Sequence, residues 1–135
     1  MPTGDASQGR RSQPSTAADG RRRAPRSIAA ESDFERIYRT GRSHSSRLLV
    51  IHYAEGSEEA TRVGFVAGRR VGTAVQRNRA KRLMREAARQ LVSPGTRSWD
   101  MVFVARRPTA EATAGDVRDA MSALLRRVGI ERGPG

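Results

Sequence analysis

The 135-residue chain is predicted to fold as an α/β (α+β) two-layer sandwich, with helices packed on a small sheet. Three observations point there. Apolar residues recur at helical spacing in three stretches, three further stretches have the length and apolar content of strands, and the two kinds interleave as helix, strand, strand, helix, strand, helix over roughly 100 residues. A domain of this size buries only about two-thirds of its unfolded surface, so the expected core is modest.

Residues 1–27 hold no Leu, Ile, Val, Phe, Tyr or Trp, but many Ser, Thr, Gly, Pro and Ala, with Arg10, Arg11, Arg21, Arg22, Arg23 and Arg26. Nothing there offsets the entropy of ordering, so the segment reads as a disordered basic tail before a domain at 28–130 and a short tail at 131–135. Ser32 is the expected N-cap of the first helix, which places Phe34, Ile37 and Tyr38 on one face and stops at Gly41. Arg47–Ala54 and Arg62–Gly68 read as strands, joined by a polar hairpin loop at Glu55–Thr61. A second helix follows, with Ala80, Leu83, Met84, Ala87, Ala88 and Leu91 on its buried face and a stop at Ser93-Pro94-Gly95. Asp100–Ala105 is an apolar run of strand length, expected to be buried on both faces and closed by Arg106-Arg107-Pro108. The last helix runs from about Gly115 to Val128, with Val117, Met121, Leu124, Leu125 and Val128 as its apolar stripe.

Charge is the strongest functional signal. The formal net charge is +12, from 25 arginines, the single lysine Lys81 and 14 acids. Between Gly68 and Leu91 stand Arg69, Arg70, Arg77, Arg79, Lys81, Arg82, Arg85 and Arg89 against the one acid Glu86, so +7 of that charge lies in 24 residues. Such a density repels itself unless an anion neutralises it, and arginine's planar fork suits phosphate. A helix that buries one face and lines up cations on the other is suited to gripping a polyanion. There is no cysteine, which excludes disulfides and Cys-based zinc sites. No apolar run approaches the ~18 residues of a membrane span, so no membrane partner is expected and the default is a soluble, cytoplasmic protein. The two histidines and scattered carboxylates form no pattern that would hold two metal ions, so neither a catalytic residue nor a protein metal site is expected.

Gln76-Arg77-Asn78-Arg79-Ala80-Lys81-Arg82-Leu83-Met84-Arg85-Glu86 resembles the "RNR" signature of the bacterial ribonuclease P protein subunit. Phe34, Tyr38 and Gly41 resemble the family's F-x-x-x-[FY]-x-x-G. Gly64–Val75 resembles its G-x-x-[VS]-x-[KR]-[KR]-x-G-x-A-V, and Asp100–Pro108 its D-[IV]-V-[VF]-[IV]-[AV]-R-x-P strand. The ordered set spans Phe34 to Val128. It implies a fold like ribosomal protein S5 domain 2, with a left-handed strand-helix-strand crossover.

The resemblance also implies a function. The family's ribonucleoprotein is an endoribonuclease that removes the 5′ leader from precursor tRNA; its RNA is catalytic, using magnesium bound mainly by that RNA, and the protein binds none alone. The protein's partners would be the RNase P RNA and the precursor tRNA with its leader, with no obligate protein partner, and it would strengthen and broaden substrate binding. Arg69, Arg70, Arg77, Asn78, Arg79, Lys81, Arg82, Arg85 and Arg89 would contact RNA, with Asn78 capping the helix start or meeting a base or sugar. Phe34, Tyr38 and His52 would line a cleft for the single-stranded leader, His52 standing where the family often has an aromatic ring. Thr73 stands where the family commonly has Asn, which puts a side-chain amide role there in doubt. Gly72 reads as a backbone device at the turn, Trp99 as edge packing, and Arg106 and Arg107 either as an extension of the basic surface or as a solvated strand end. A stand-alone RNA-binding or ribosome-associated protein is the alternative, and a DNA-binding helix a third. A lone basic helix does not separate these, but aromatic residues beside a sheet favour single-stranded RNA.

Overall fold

In the computed structural model, residues 25–56, 60–92 and 98–130 are described. The strands are β1 (Arg26–Ser27), β2 (Arg42–Ser45), β3 (Leu49–Glu55), β4 (Arg62–Val66) and β5 (Trp99–Ala105); the helices are α1 (Glu31–Thr40), α2 (Ala74–Leu91) and α3 (Ala114–Val128). Short 3₁₀ turns at Arg69–Val71 and Arg107–Glu111 precede α2 and α3. The sheet order is β1-β4-β5-β3-β2. β5 runs parallel to β4 and antiparallel to β3, while β1 lies parallel to β4 and β2 antiparallel to β3.

The central place of β5 follows from its composition. Asp100, Met101, Val102 and Phe103 are fully buried, and a strand apolar on both faces is stable only with neighbours on either side and cover above and below. This overturns the expected hairpin, because β3 and β4 pair with β5 and not with each other. The segment after β3 therefore carries the chain across the width of β5; its residues 57–59 lie outside the described residues. The β4–α2–β5 unit, for which the resemblance implies a left-handed crossover, joins two adjacent parallel strands.

Alternation along the strands divides the interior in two. Leu49, Ile51, Tyr53, Val63, Met101 and Phe103 face α2 and α3 and form the main core. Ile28, Ile37 and Val102, with Phe34, Ala54, Val66 and Val104 beside them, form a smaller cluster under α1. The sandwich thus consists of the sheet and the α2–α3 layer, and α1 crosses the other sheet face.

Several local expectations need correction. α1 starts one residue before Ser32, with Ala30 in the N-cap place and no side-chain cap; Ile28, 6% exposed, anchors the preceding chain to the sheet, so docking sets the start. Arg26 and Ser27, assigned by composition to the tail, form an edge strand whose register pairs them with Arg62 and Val63. β2 went unread because Arg42-Ser43-His44-Ser45 has no apolar residue and gains its order from β3. The stop expected at Ser93-Pro94-Gly95 lies outside the described residues, as do residues 1–24 and 131–135. Gly41 does end α1, its N–H donating to the Ile37 carbonyl at 2.9 Å.

Candidate RNA interface

The basic helix begins earlier than its charge pattern suggests. Thr73 is the N-cap of α2, its hydroxyl accepting the Gln76 N–H at 3.2 Å while the Gln76 amide oxygen accepts the Thr73 N–H at 2.8 Å. Threonine thus caps through its own hydroxyl with no amide needed. Asn78 is the fifth residue of the helix and exposed, so it does not cap the start. Gly72 adopts φ 142°, a region L side chains avoid, and a Cβ there would meet the Gln76 amide oxygen at 2.0 Å. Gly72 is therefore the backbone device the sequence suggested.

Ala80, Met84, Ala87 and Ala88 bury one side of α2. Asn78, Arg82, Arg85 and Arg89 form the opposite, exposed ridge at i, i+4, i+7 and i+11, with Arg77 and Lys81 half-buried on its flank. The side chains of Arg77, Lys81, Arg82 and Arg85 make no hydrogen bond or ion pair with another described residue. Arg89 instead pairs with Glu86, whose carboxyl it holds below the usual range. Arg79 is engaged by the backbone: its guanidinium donates to the carbonyls of Ala110 at 3.1 Å and Ala112 at 2.8 Å. Arg69 and Arg70 are exposed on the 3₁₀ turn before α2.

Phe34, Tyr38 and His52 come together on the other side of the sheet. The Tyr38 and His52 rings meet edge to face with centroids 4.7 Å apart, and Phe34 lies 6.4 Å from Tyr38. Tyr38 is 44% exposed, enough to leave ring surface open to a ligand, while Phe34 is half-buried against the cluster under α1. Phe34 sits there because Gly64 has no side chain: a Cβ on Gly64 would stand 2.9 Å from the Phe34 ring. Burial pushes the His52 imidazole below its ordinary pKa, which favours the neutral, stacking form, and pushes the Tyr38 hydroxyl up.

A buried ionic cluster clamps α1 over this face. The fully buried Asp100 carboxylate accepts from Arg62 Nε at 3.1 Å and Nη2 at 2.9 Å and from Arg36 of α1. Asp33, also on α1, accepts from Arg62 Nη1 at 3.3 Å. Burial alone would raise the Asp100 pKa, but the Arg62 and Arg36 guanidiniums outweigh it and hold the carboxyl below its ordinary value. Arg62 is raised well above its own, chiefly by its hydrogen bond to Asp100. The sequence offered no sign of this cluster, since Asp33, Arg36, Arg62 and Asp100 are separated by up to 67 positions and each alone reads as a surface charge.

Trp99 packs edge to face on Tyr53 at 5.9 Å. Arg106 donates to the Ser46 carbonyl at 2.6 Å and so serves as a strand-end tie, whereas Arg107 is exposed. Among the described residues no three His, Asp or Glu side chains come together, and no helix is long and apolar enough to cross a membrane.

Comparison with known proteins fits this geometry. A family model described as Ribonuclease P matches residues 23–129. A relative from Chloroflexus aggregans named "Ribonuclease P protein component" is 41% identical over 107 residues, covering 78% of each chain. The RNase P protein from Thermotoga maritima superposes with a TM-score of 0.65 at 25% identity, over 74% of this chain and 94% of that one. That of Staphylococcus aureus, at 24% identity and a TM-score of 0.69 over 78% and 97%, shares the fold. The family model over residues 23–129 and the 41% identical relative show that this chain belongs to the ribonuclease P protein family.

Proposed function

We propose that this chain is the protein subunit of a ribonuclease P ribonucleoprotein, holding the catalytic RNA on the α2 ridge and the single-stranded 5′ leader of precursor tRNA in the groove between α1 and the sheet. The observation that carries this reading is the separation of the two surfaces: cations on α2 whose side chains have no partner among the described residues at one sheet face, partly open aromatic rings under α1 at the other. Arg77, Lys81, Arg82 and Arg85 neutralise RNA phosphates and release counterions, a contact that fixes register without reading sequence. Phe34, Tyr38 and His52 stack on unpaired leader bases, each worth about 1–3 kcal/mol and tolerant of any sequence.

Magnesium bound to the RNA supplies the hydrolytic chemistry. The protein's own part is to bind and orient, raising affinity for leader-bearing substrates in the cytoplasm, where precursor tRNA is made. Asp33 and Asp100, the acids of the clamp, are already held by arginines and are assigned no share in that chemistry. The test is reconstitution of the purified chain with a bacterial RNase P RNA at low magnesium, followed by measurement of leader removal. The expected result is cleavage stimulated over RNA alone. Tight RNA binding without stimulation would instead favour a stand-alone RNA-binding protein.

A further inference from the structure

Arg77 and Arg79, the two arginines of the motif, leave α2 about 200° apart, because residues two apart on a helix do not share a face. Arg77 lies on the flank it shares with Lys81. Arg79 turns the other way and forks across two backbone carbonyls, those of Ala110 and Ala112, at the far end of the Arg107–Glu111 turn. A planar guanidinium spans two such acceptors at once; a lysine ammonium is a point donor that does not reproduce the fork.

The turn held in this way carries Arg107. Across a cleft of about 600 Å³ it faces Arg69 and Arg70 of the other 3₁₀ turn, with Gln76 and Glu111 also in the lining. Arg69, Arg70 and Arg107 are exposed, and their side chains have no hydrogen-bond or ion-pair partner among the described residues. Three guanidiniums against one carboxylate make the lining a place for an anion, and a concave wall of forked donors suits a phosphodiester backbone better than a single phosphate on a flat surface.

We infer that Arg79 is a positioning residue, not an RNA contact, and that the cleft it builds from Arg69, Arg70 and Arg107 holds a backbone segment of the RNase P RNA. The inference rests on the proposed function for its ligand. It gives Arg107 a binding role that its place at a strand end does not suggest, and it divides the RNR motif between contact and strut.

A double-mutant cycle tests it, using the full chain and an RNase P RNA transcript, with affinity measured across a salt series and folding followed by circular dichroism. R107A is expected to lower the slope of log K against log salt by about one unit, while R107K retains it. R79A and R79K are both expected to weaken binding to the same degree, and R79A to add nothing in the R107A background. An unchanged slope for R107A, additive losses for the pair, or full binding by R79K would overturn the inference. R107A replaces an exposed side chain, so that arm stays decisive even if Arg79 variants lose structure. R77A/R82A is the control: if it flattens the slope while R107A does not, the cleft is wrong and the proposed function stands, whereas failure of the unmodified chain to bind the RNA defeats the proposed function itself.

Discussion

Asp100 is the side chain that ties α1 to the sheet. Its carboxylate is fully buried, and two guanidiniums from different elements, Arg36 on α1 and Arg62 on β4, converge on it. Removing one partner of a buried ionic cluster typically costs about 3–5 kcal/mol, and Asp33, which still accepts from Arg62, puts the Asp100 change at the lower end. D100N is therefore expected to destabilise the fold by about 3 kcal/mol in urea denaturation. The pH dependence has a definite sign. The folded pKa lies below the unfolded value of about 3.9, so the contribution is complete above that pH and is lost as pH falls towards the folded pKa. Stability of the unmodified chain should fall through that acid window, and D100N should lack this component; identical acid profiles would mean the cluster contributes nothing. The His52 pKa is likewise held below its ordinary value, here by burial, so protonation favours unfolding as pH falls below about 6.5.

At the scale of elements, α2 shows how local chemistry positions function. Thr73 and Gln76 close a capping box, and Gly72 makes the turn that lets the helix start three residues before the first arginine of the motif. T73A should cost about 1 kcal/mol of stability, read from a lowered urea midpoint with unchanged slope. No change would mean the helix start is held by packing alone. The periodic elements α2, α3 and β5 were legible because their apolar spacing is their own property. The edge strands β1 and β2 were not, because two polar or charged segments become strands only when β4 and β3 offer them backbone partners. The same reason hid the start of α1, where docking of Ile28 and not the hydroxyl of Ser32 decides the boundary.

At the scale of the whole molecule, the sheet keeps two surfaces apart. α2 and α3 cover one face and α1 the other, so the cation ridge and the aromatic cluster of Phe34, Tyr38 and His52 lie on opposite sides of the sheet. Residue types at their spacing made the cationic stripe of the amphipathic helix visible in the sequence, whereas Phe34 and Tyr38, four apart, read by spacing as core, and only the family resemblance joined them with His52 in a cleft. What spacing could not convey was strand order, since the doubly apolar β5 comes last in the chain yet sits between β4 and β3. Nor could it show that Arg79 turns inward to Ala110 and Ala112, because motif membership says nothing of which flank a side chain takes.

The division of labour itself is tested most directly by leader dependence. With the holoenzyme assembled on RNase P RNA, the affinity of F34A for precursor tRNA carrying a long leader is compared with its affinity for leaderless tRNA, each against the unmodified protein. The account predicts a loss of about tenfold or more with the leader, corresponding to one stacked base, and little change without it. An equal loss on both substrates would return Phe34 to the core and contradict a leader-binding groove beneath α1.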